Sequence, residues 1–281
     1  MKPTEFTYRV PGRSTHPRPG GHRSRRDGEG QAFRHLAPLL SHPDPRRLDL
    51  RASLTDPFGQ FRVRLYEQRS ALQVFAILDL SGSMDHRGVH PKMAVLADFV
   101  GGLAASVYRQ GDTLGILGAG ERIHPEFCLP PTRQPGPAFR LAGRLRRYAP
   151  HGTHCRGLTL AGRMLPRRRS LVFLVSDFHA PLASLREILA GMTHHAVVPV
   201  VVWDAAETLP QGHGLIRLAD LEGGGDQLLA LRPALRSRLE DNLRQRRARL
   251  GTLFRQCGRE PLFLAEGFDA DRVTRYFLEA A

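Results

Sequence analysis

Leu72-Gln73-Val74-Phe75-Ala76-Ile77-Leu78-Asp79-Leu80-Ser81-Gly82-Ser83 is the stretch on which the reading of this chain turns. Leu72 to Leu78 is short enough for a strand, rich in β-branched and aromatic residues, and apolar enough to be buried on both faces. Asp79 closes the run, which places a carboxylate at the carboxyl end of a central strand, where open α/β sheets put their ligands. Two hydroxyls follow at Ser81 and Ser83 around a glycine turn. Three hard oxygen donors thus come together, in outline a site for a divalent cation. Mg²⁺ takes near-octahedral oxygen ligands and keeps waters, so this set leaves positions through which the ion can recruit an acidic group from a partner.

An Asp-x-Ser-x-Ser segment after a buried strand resembles the metal-ion-dependent adhesion site of von Willebrand factor A domains. The resemblance implies a threonine from a second loop and an aspartate after a later strand, and the chain carries both in that order. Gly152-Thr153 opens the stretch His154-Cys155-Arg156-Gly157-Leu158-Thr159-Leu160-Ala161, and Leu171-Val172-Phe173-Leu174-Val175-Ser176-Asp177 is a second buried strand ending in a carboxylate. The implied ligands of Mg²⁺ or Mn²⁺ are Asp79, Ser81, Ser83, Thr153 and Asp177, with Thr159 an alternative for the loop position. By itself Asp-x-Ser-x-Ser also describes a turn whose side chains bond their own backbone. The conjunction with two strands, a Gly-Thr loop and a second terminal Asp favours the metal reading.

Residues upstream narrow the resemblance. Gly21 to Arg26, Asp44 to Ser53 and Val63 to Glu67 are similar to segments of a bacterial family of uncharacterised von Willebrand A-like proteins, encoded beside MoxR-type AAA+ ATPases, with MxaS-like proteins among its short members. The family pattern commonly has Gly-Asp-Asp and a tryptophan where this chain has Ser41 to Asp44 and Leu50. The resemblance implies a MoxR-type ATPase, or a client protein that it matures, as partner.

The 281 residues carry 41% hydrophobic side chains, enough for a sizeable core in one large α/β domain with extensions. No stretch reaches the ~18 apolar residues of a membrane helix, and the N-terminus lacks the apolar core of a signal peptide, so a cytoplasmic protein is expected. Cys128, Cys155 and Cys257 have no C-x-x-C spacing, which argues against a disulfide framework or a structural zinc site; they are expected to be reduced and mostly buried. A His151-x-x-His154-Cys155 zinc site lacks a fourth ligand. The net charge of +14 and pI near 11.0 would suit nucleic acid. However, the basic residues are nearly all arginine, are scattered, and have no interleaved aromatic side chains for base stacking. A solvated basic face, or docking to an acidic protein, is the better expectation.

The pattern along the chain predicts an extended basic Pro/Gly-rich arm over 1–30, a family-specific segment over 31–71 with a short helix at Gln31–Leu40 and a strand at Phe61–Tyr66, and the von Willebrand A-like domain over 72–281. Within that domain, helices are expected at Lys92–Tyr108, Ala138–Tyr148, Leu182–Met192, Pro233–Cys257 and Asp269–Leu278. Strands are expected at Asp112–Leu117, Arg122–Cys128, Val197–Trp203 and Pro261–Leu264, with a hairpin inserted at about 212–231. The alternation implies a doubly wound, mostly parallel sheet with one antiparallel edge strand and the first strand at the switch point.

Enzymatic readings fit less well. Ser81 stands where a haloacid-dehalogenase-like phosphatase would carry its second Asp. There is no G-x-x-x-x-G-K-[S/T] phosphate loop. Gly115-x-x-Gly118-x-Gly120 leads into a strand and reads as a hairpin turn, and Ser81 lies outside G-x-S-x-G. The expected function is a non-enzymatic, metal-dependent adaptor, with metal-dependent phosphoester hydrolysis or nucleic-acid binding as the alternatives. Asp85 and His86 would border the docking surface or be solvated loop residues.

Overall fold

A computed structural model describes residues 5–9, 19–86, 88–204, 214–219, 226–231, 233–258 and 260–279. The chain divides into two units, Pro11–Leu72 and a larger one formed by Met1–Val10 with Gln73–Ala281.

The smaller unit is a three-stranded antiparallel sheet. Its strands are β1 (Pro19–Pro38), β2 (Leu48–Asp49) and β3 (Arg62–Ser70), with β3 between the other two. Its core is Ala37, Val63 and Leu65, with Leu39 and Leu48 packed against them. Asp49 caps the short helix α1 (Leu50–Leu54) by accepting the Ala52 N–H at 3.0 Å. Here the sequence expectation needs correction: Gln31–Pro38 is part of β1, with Leu39 and Leu40 in the turn that follows, and strand structure begins at Pro19, inside the expected arm. Local propensity gives way to pairing, because His35 to Pro38 pairs residue for residue with Leu65 to Arg62 of the strongly alternating β3, after an irregularity that follows Phe33.

The larger unit is built on a six-stranded sheet. Its elements in chain order are β4 (Gln73–Asp79), α2 (Lys92–Arg109), β5 (Thr113–Ala119), β6 (Leu129–Thr132), α3 (Pro135–Leu145), α4 (Arg156–Arg163), β7 (Leu171–Ser176), α5 (Leu182–Ala190) and β8 (Ala196–Val202). The hairpin β9 (Gly214–Ala219) and β10 (Asp226–Leu231), helix α6 (Pro233–Gln256), β11 (Leu262–Leu264) and α7 (Ala270–Glu279) follow. The strand order is β11-β8-β7-β4-β5-β6, parallel except for the antiparallel edge strand β6. This is the doubly wound, mostly parallel sheet expected, with one antiparallel edge strand and β4 at the switch point.

Burial accounts for the central order. Every residue of β7 and β8 is buried, as is all of β4 after Gln73, so these strands can sit only inside a sheet covered on both faces. Two details differ from expectation. The strand expected at Arg122–Cys128 lies later, at Leu129–Thr132, because Pro125 opens a 3₁₀ turn over Pro125–Phe127. Gly115 and Gly118 belong to β5 itself rather than to a tight turn.

Part of the expected extended arm is core. Phe6 and Tyr8 are buried, Phe6 against the rings of Phe99, Phe173 and Phe268, and Tyr8 against Phe173 and Phe277. The Phe6 N–H donates to Ser106 Oγ at 2.8 Å, and the Tyr8 hydroxyl donates to Asp112 Oδ2 at 2.5 Å. The alternation Phe6-Thr7-Tyr8 sends both rings inward, as in a half-buried strand. Among the described residues no helix is long and apolar enough to cross a membrane.

Candidate metal centre

β4 and β7 are adjacent and parallel, so the residues at their carboxyl ends meet. Asp79 ends β4 and Asp177 directly follows β7, and both are buried, as is Ser81. Asp79 is anchored by both oxygens: Oδ1 accepts the Ser81 N–H at 2.9 Å, and Oδ2 accepts the Ser176 hydroxyl at 2.5 Å. After Ser81 the chain makes a 3₁₀ turn over Gly82–Asp85, which brings the Ser83 hydroxyl within 3.3 Å of that of Ser81. Four of the five expected ligands, Asp79, Ser81, Ser83 and Asp177, are thus gathered at one strand-end cluster.

The fifth has a different local partner. Gly152 lies beside the turn, since the Gly82 N–H donates to the Gly152 carbonyl at 3.0 Å. Thr153, however, is exposed and tied to Glu121: its N–H and its hydroxyl donate to Glu121 Oε1 at 2.7 and 3.1 Å. His154 Nδ1 lies 3.1 Å from the same oxygen. The alternative, Thr159, is within α4. The Gly-Thr loop reaches this place because α4 starts hard against the β5 end. The Gly157 N–H donates to the Gly120 carbonyl at 2.8 Å, and a Cβ on Gly157 would lie 2.7 Å from that oxygen.

Lys92, at the start of α2, is fully buried and was not singled out from sequence. Its ammonium donates to Asp177 Oδ2 at 2.8 Å and to the Ser83 carbonyl at 3.0 Å. Electrostatics separate the two carboxyls accordingly. Burial, with the charge of Asp177 beside it, pushes Asp79 up to about 6. Burial also works against ionisation of Asp177, but the Lys92 ammonium and His179 outweigh it and hold that carboxyl below the usual range. Among the described residues no cation forms an ion pair with Asp79.

Other groups hold Asp177 in place. Its carbonyl accepts the Trp203 Nε1–H at 2.7 Å, its Oδ1 accepts the His179 N–H at 3.2 Å, and the His179 ring stacks on Trp203. Phe178 takes a left-handed φ of 53°, fixed by its N–H donating to Ser176 Oγ at 2.9 Å and by the Arg246 guanidinium of α6 donating to the Phe178 and Ala180 carbonyls. On the opposite flank Asp204, fully buried after β8, accepts the His90 N–H at 2.8 Å and pins the loop that leads into Lys92. One signal for Lys92 was available in the sequence: it is one of two lysines in a chain that otherwise uses arginine.

A hard divalent cation suits this donor set. Two carboxylates and two hydroxyls converge, and Asp79 is buried beside a second negative charge with no ion-pair partner of its own among the described residues. The zinc reading set aside on sequence grounds has no such convergence: His154 lies on Glu121, and the His151 ring packs by Tyr148 and His124. Cys128, Cys155 and Cys257 form no disulfide; Cys128 and Cys155 are half-buried and Cys257 is exposed, the last against the expectation of burial.

No curated protein matches the chain. Among solved structures it is similar to the conserved hypothetical protein BatB from Bacteroides thetaiotaomicron, at 12% identity over 75% of this chain and 98% of that one, with a TM-score of 0.46. An aerotolerance-related membrane protein from Bacteroides fragilis gives 13% identity over the same shares, with a TM-score of 0.44. Proximal thread matrix protein 1 from the mussel byssus, solved with a zinc-occupied adhesion-site motif, gives 16% identity over 47% of this chain and 38% of that one, with a TM-score of 0.34. A family model covers residues 44–249, most of the chain, and by it this chain belongs to the family described as protein of unknown function DUF58.

Proposed function

We propose that the chain is a non-enzymatic, cytoplasmic protein-interaction module whose docking site is built around Mg²⁺ or Mn²⁺. The observation that carries this reading is the pairing of two buried carboxylates, Asp79 and Asp177, at adjacent strand ends, with only Asp177 answered by a buried ammonium. Asp79, Ser81, Ser83 and Asp177 would hold the ion, and Thr153 would join them by giving up its hydroxyl bond to Glu121. Bound there, the ion supplies a coordination position for a carboxylate oxygen of a partner.

The protein's own residues do the positioning. Ser176 and the Ser81 N–H fix both oxygens of Asp79, Lys92 keeps Asp177 ionised, and Trp203 with Arg246 fixes the loop that follows it. The family resemblance makes the partner a MoxR-type AAA+ ATPase, or a client that such an ATPase matures; this rests on analogy of family, not on the chemistry of the site. Titration calorimetry of this chain with the ATPase tests it. Binding should appear in Mg²⁺, vanish in EDTA and vanish in Asp79→Ala. Affinity that is unchanged by EDTA would refute a metal-dependent dock.

A further inference from the structure

Among its described residues, the small unit exposes more large apolar side chains than it buries. Its core is three residues, Ala37, Val63 and Leu65. Against these stand Leu40, Leu50, Leu54, Phe58 and Phe61, with relative exposures of 93, 64, 87, 78 and 60%. The segments that carry these five meet at one end of the sheet. The Leu39 N–H donates to the Phe61 carbonyl at 2.8 Å, the Arg62 N–H donates to Ser53 Oγ at 2.8 Å, and Asp49 pairs with Arg62 across β2 and β3.

The turn that carries Phe58 is held in shape. Asp56 Oδ2 accepts the N–H groups of Phe58 and Gln60 at 3.1 and 2.9 Å, and its Oδ1 accepts Arg62 Nε at 2.7 Å. Such a fixed, solvated cluster costs free energy unless something covers it, and clustered exposed apolar residues mark interaction sites.

Charge selects the occupant. Pro11–Leu72 contains twelve arginines against six acidic residues, so a second copy would be repelled. At the apolar end, three of the arginines are tied to aspartates, as Arg47–Asp44, Arg62–Asp56 and Arg64–Asp49. Those carboxylates disfavour an anionic bilayer, whereas the exposed Arg46 and Arg51 beside the patch suit discrete acidic side chains. We propose that this end of the small sheet is a docking surface for an acidic, amphipathic protein segment, independent of the metal centre.

The test uses the full chain and two labelled synthetic amphipathic peptides with the same Leu/Phe face, one with a Glu and one with a Lys polar face, read by fluorescence anisotropy. The Glu peptide should bind. Phe58→Ser/Phe61→Ser should weaken it at least about tenfold, as loss of central apolar anchors does. Arg46→Glu/Arg51→Glu should reverse the preference between the peptides, and Asp79→Ala with EDTA should change nothing. Because all four substituted side chains are exposed, amide exchange of Val63 and Leu65 should stay at wild-type level. Equal binding by the Phe58→Ser/Phe61→Ser variant would overturn the proposal as mere charge attraction. So would absence of peptide binding, whether or not the chain associates with phosphatidylglycerol vesicles or sediments as a dimer.

Discussion

The Lys92 ammonium lies 2.8 Å from Asp177 Oδ2 with both side chains out of solvent. An intramolecular cation therefore already occupies one side of the two-carboxylate cluster. It leaves Asp79, not Asp177, as the group with the most to gain from a metal ion.

Replacing Lys92 should reveal that division. Lys92→Met leaves Asp177 buried without its ion-pair partner, beside Asp79, and should cost about 3–5 kcal/mol in EDTA. Mg²⁺ should restore more stability to Lys92→Met than it adds to wild type, because it then answers both carboxylates. Urea unfolding with and without Mg²⁺ measures both quantities.

The pH dependence follows from the raised pKa of Asp79, about 6 against an ordinary 3.8. Without metal, the folded chain takes up a proton on Asp79 between these values before the unfolded chain does. Asp79 therefore subtracts from stability above pH 6, and that cost fades as pH falls toward 3.8. Metal and proton compete for the same carboxylate, so Mn²⁺ affinity should fall as pH drops through about 6. Asp79→Asn should be more stable than wild type in EDTA at neutral pH and show no Mn²⁺ response.

Most of this site was legible because it rests on strand ends. Asp79 and Asp177 each close an unbroken apolar run, and the run itself fixes where the carboxylate goes. Thr153 was harder, because a loop residue's partner depends on what crosses nearby, and Glu121 comes from the far end of β5. Lys92 and Asp204 act through contacts spanning 85 and 114 residues, which no local pattern encodes. The same limit explains the small unit: β1 is a strand by virtue of pairing with β3, and its Pro/Gly/Arg composition pointed the other way.

Trp203 is the only tryptophan and donates to the Asp177 carbonyl at 2.7 Å, so its emission should report metal binding directly. Titration with Mn²⁺ should shift or quench that emission in wild type and leave Asp79→Ala unchanged. Trp203→Phe should lose about 1 kcal/mol with the hydrogen bond.

Gly88 offers a test of the loop that joins the 3₁₀ turn to α2. A Cβ there would lie 2.4 Å from Asp204 Oδ2 and 2.8 Å from His86 Nε2, whereas one on Gly143 would meet nothing within 4 Å. Gly88→Ala should destabilise by about 1–3 kcal/mol and weaken Mn²⁺ binding several-fold. Gly143→Ala, within helix α3, should be neutral or stabilising by up to about 1 kcal/mol.

The most direct test of the central claim is the thermal unfolding midpoint of wild type and Asp79→Ala in EDTA, Mg²⁺ and Mn²⁺. An ion bound only to the folded chain at about 100 times its Kd adds roughly 2.7 kcal/mol, worth about 5–10 °C for a chain of this size. The account predicts such a rise for wild type and none for Asp79→Ala. Equal midpoints for wild type in EDTA and in either metal would contradict it.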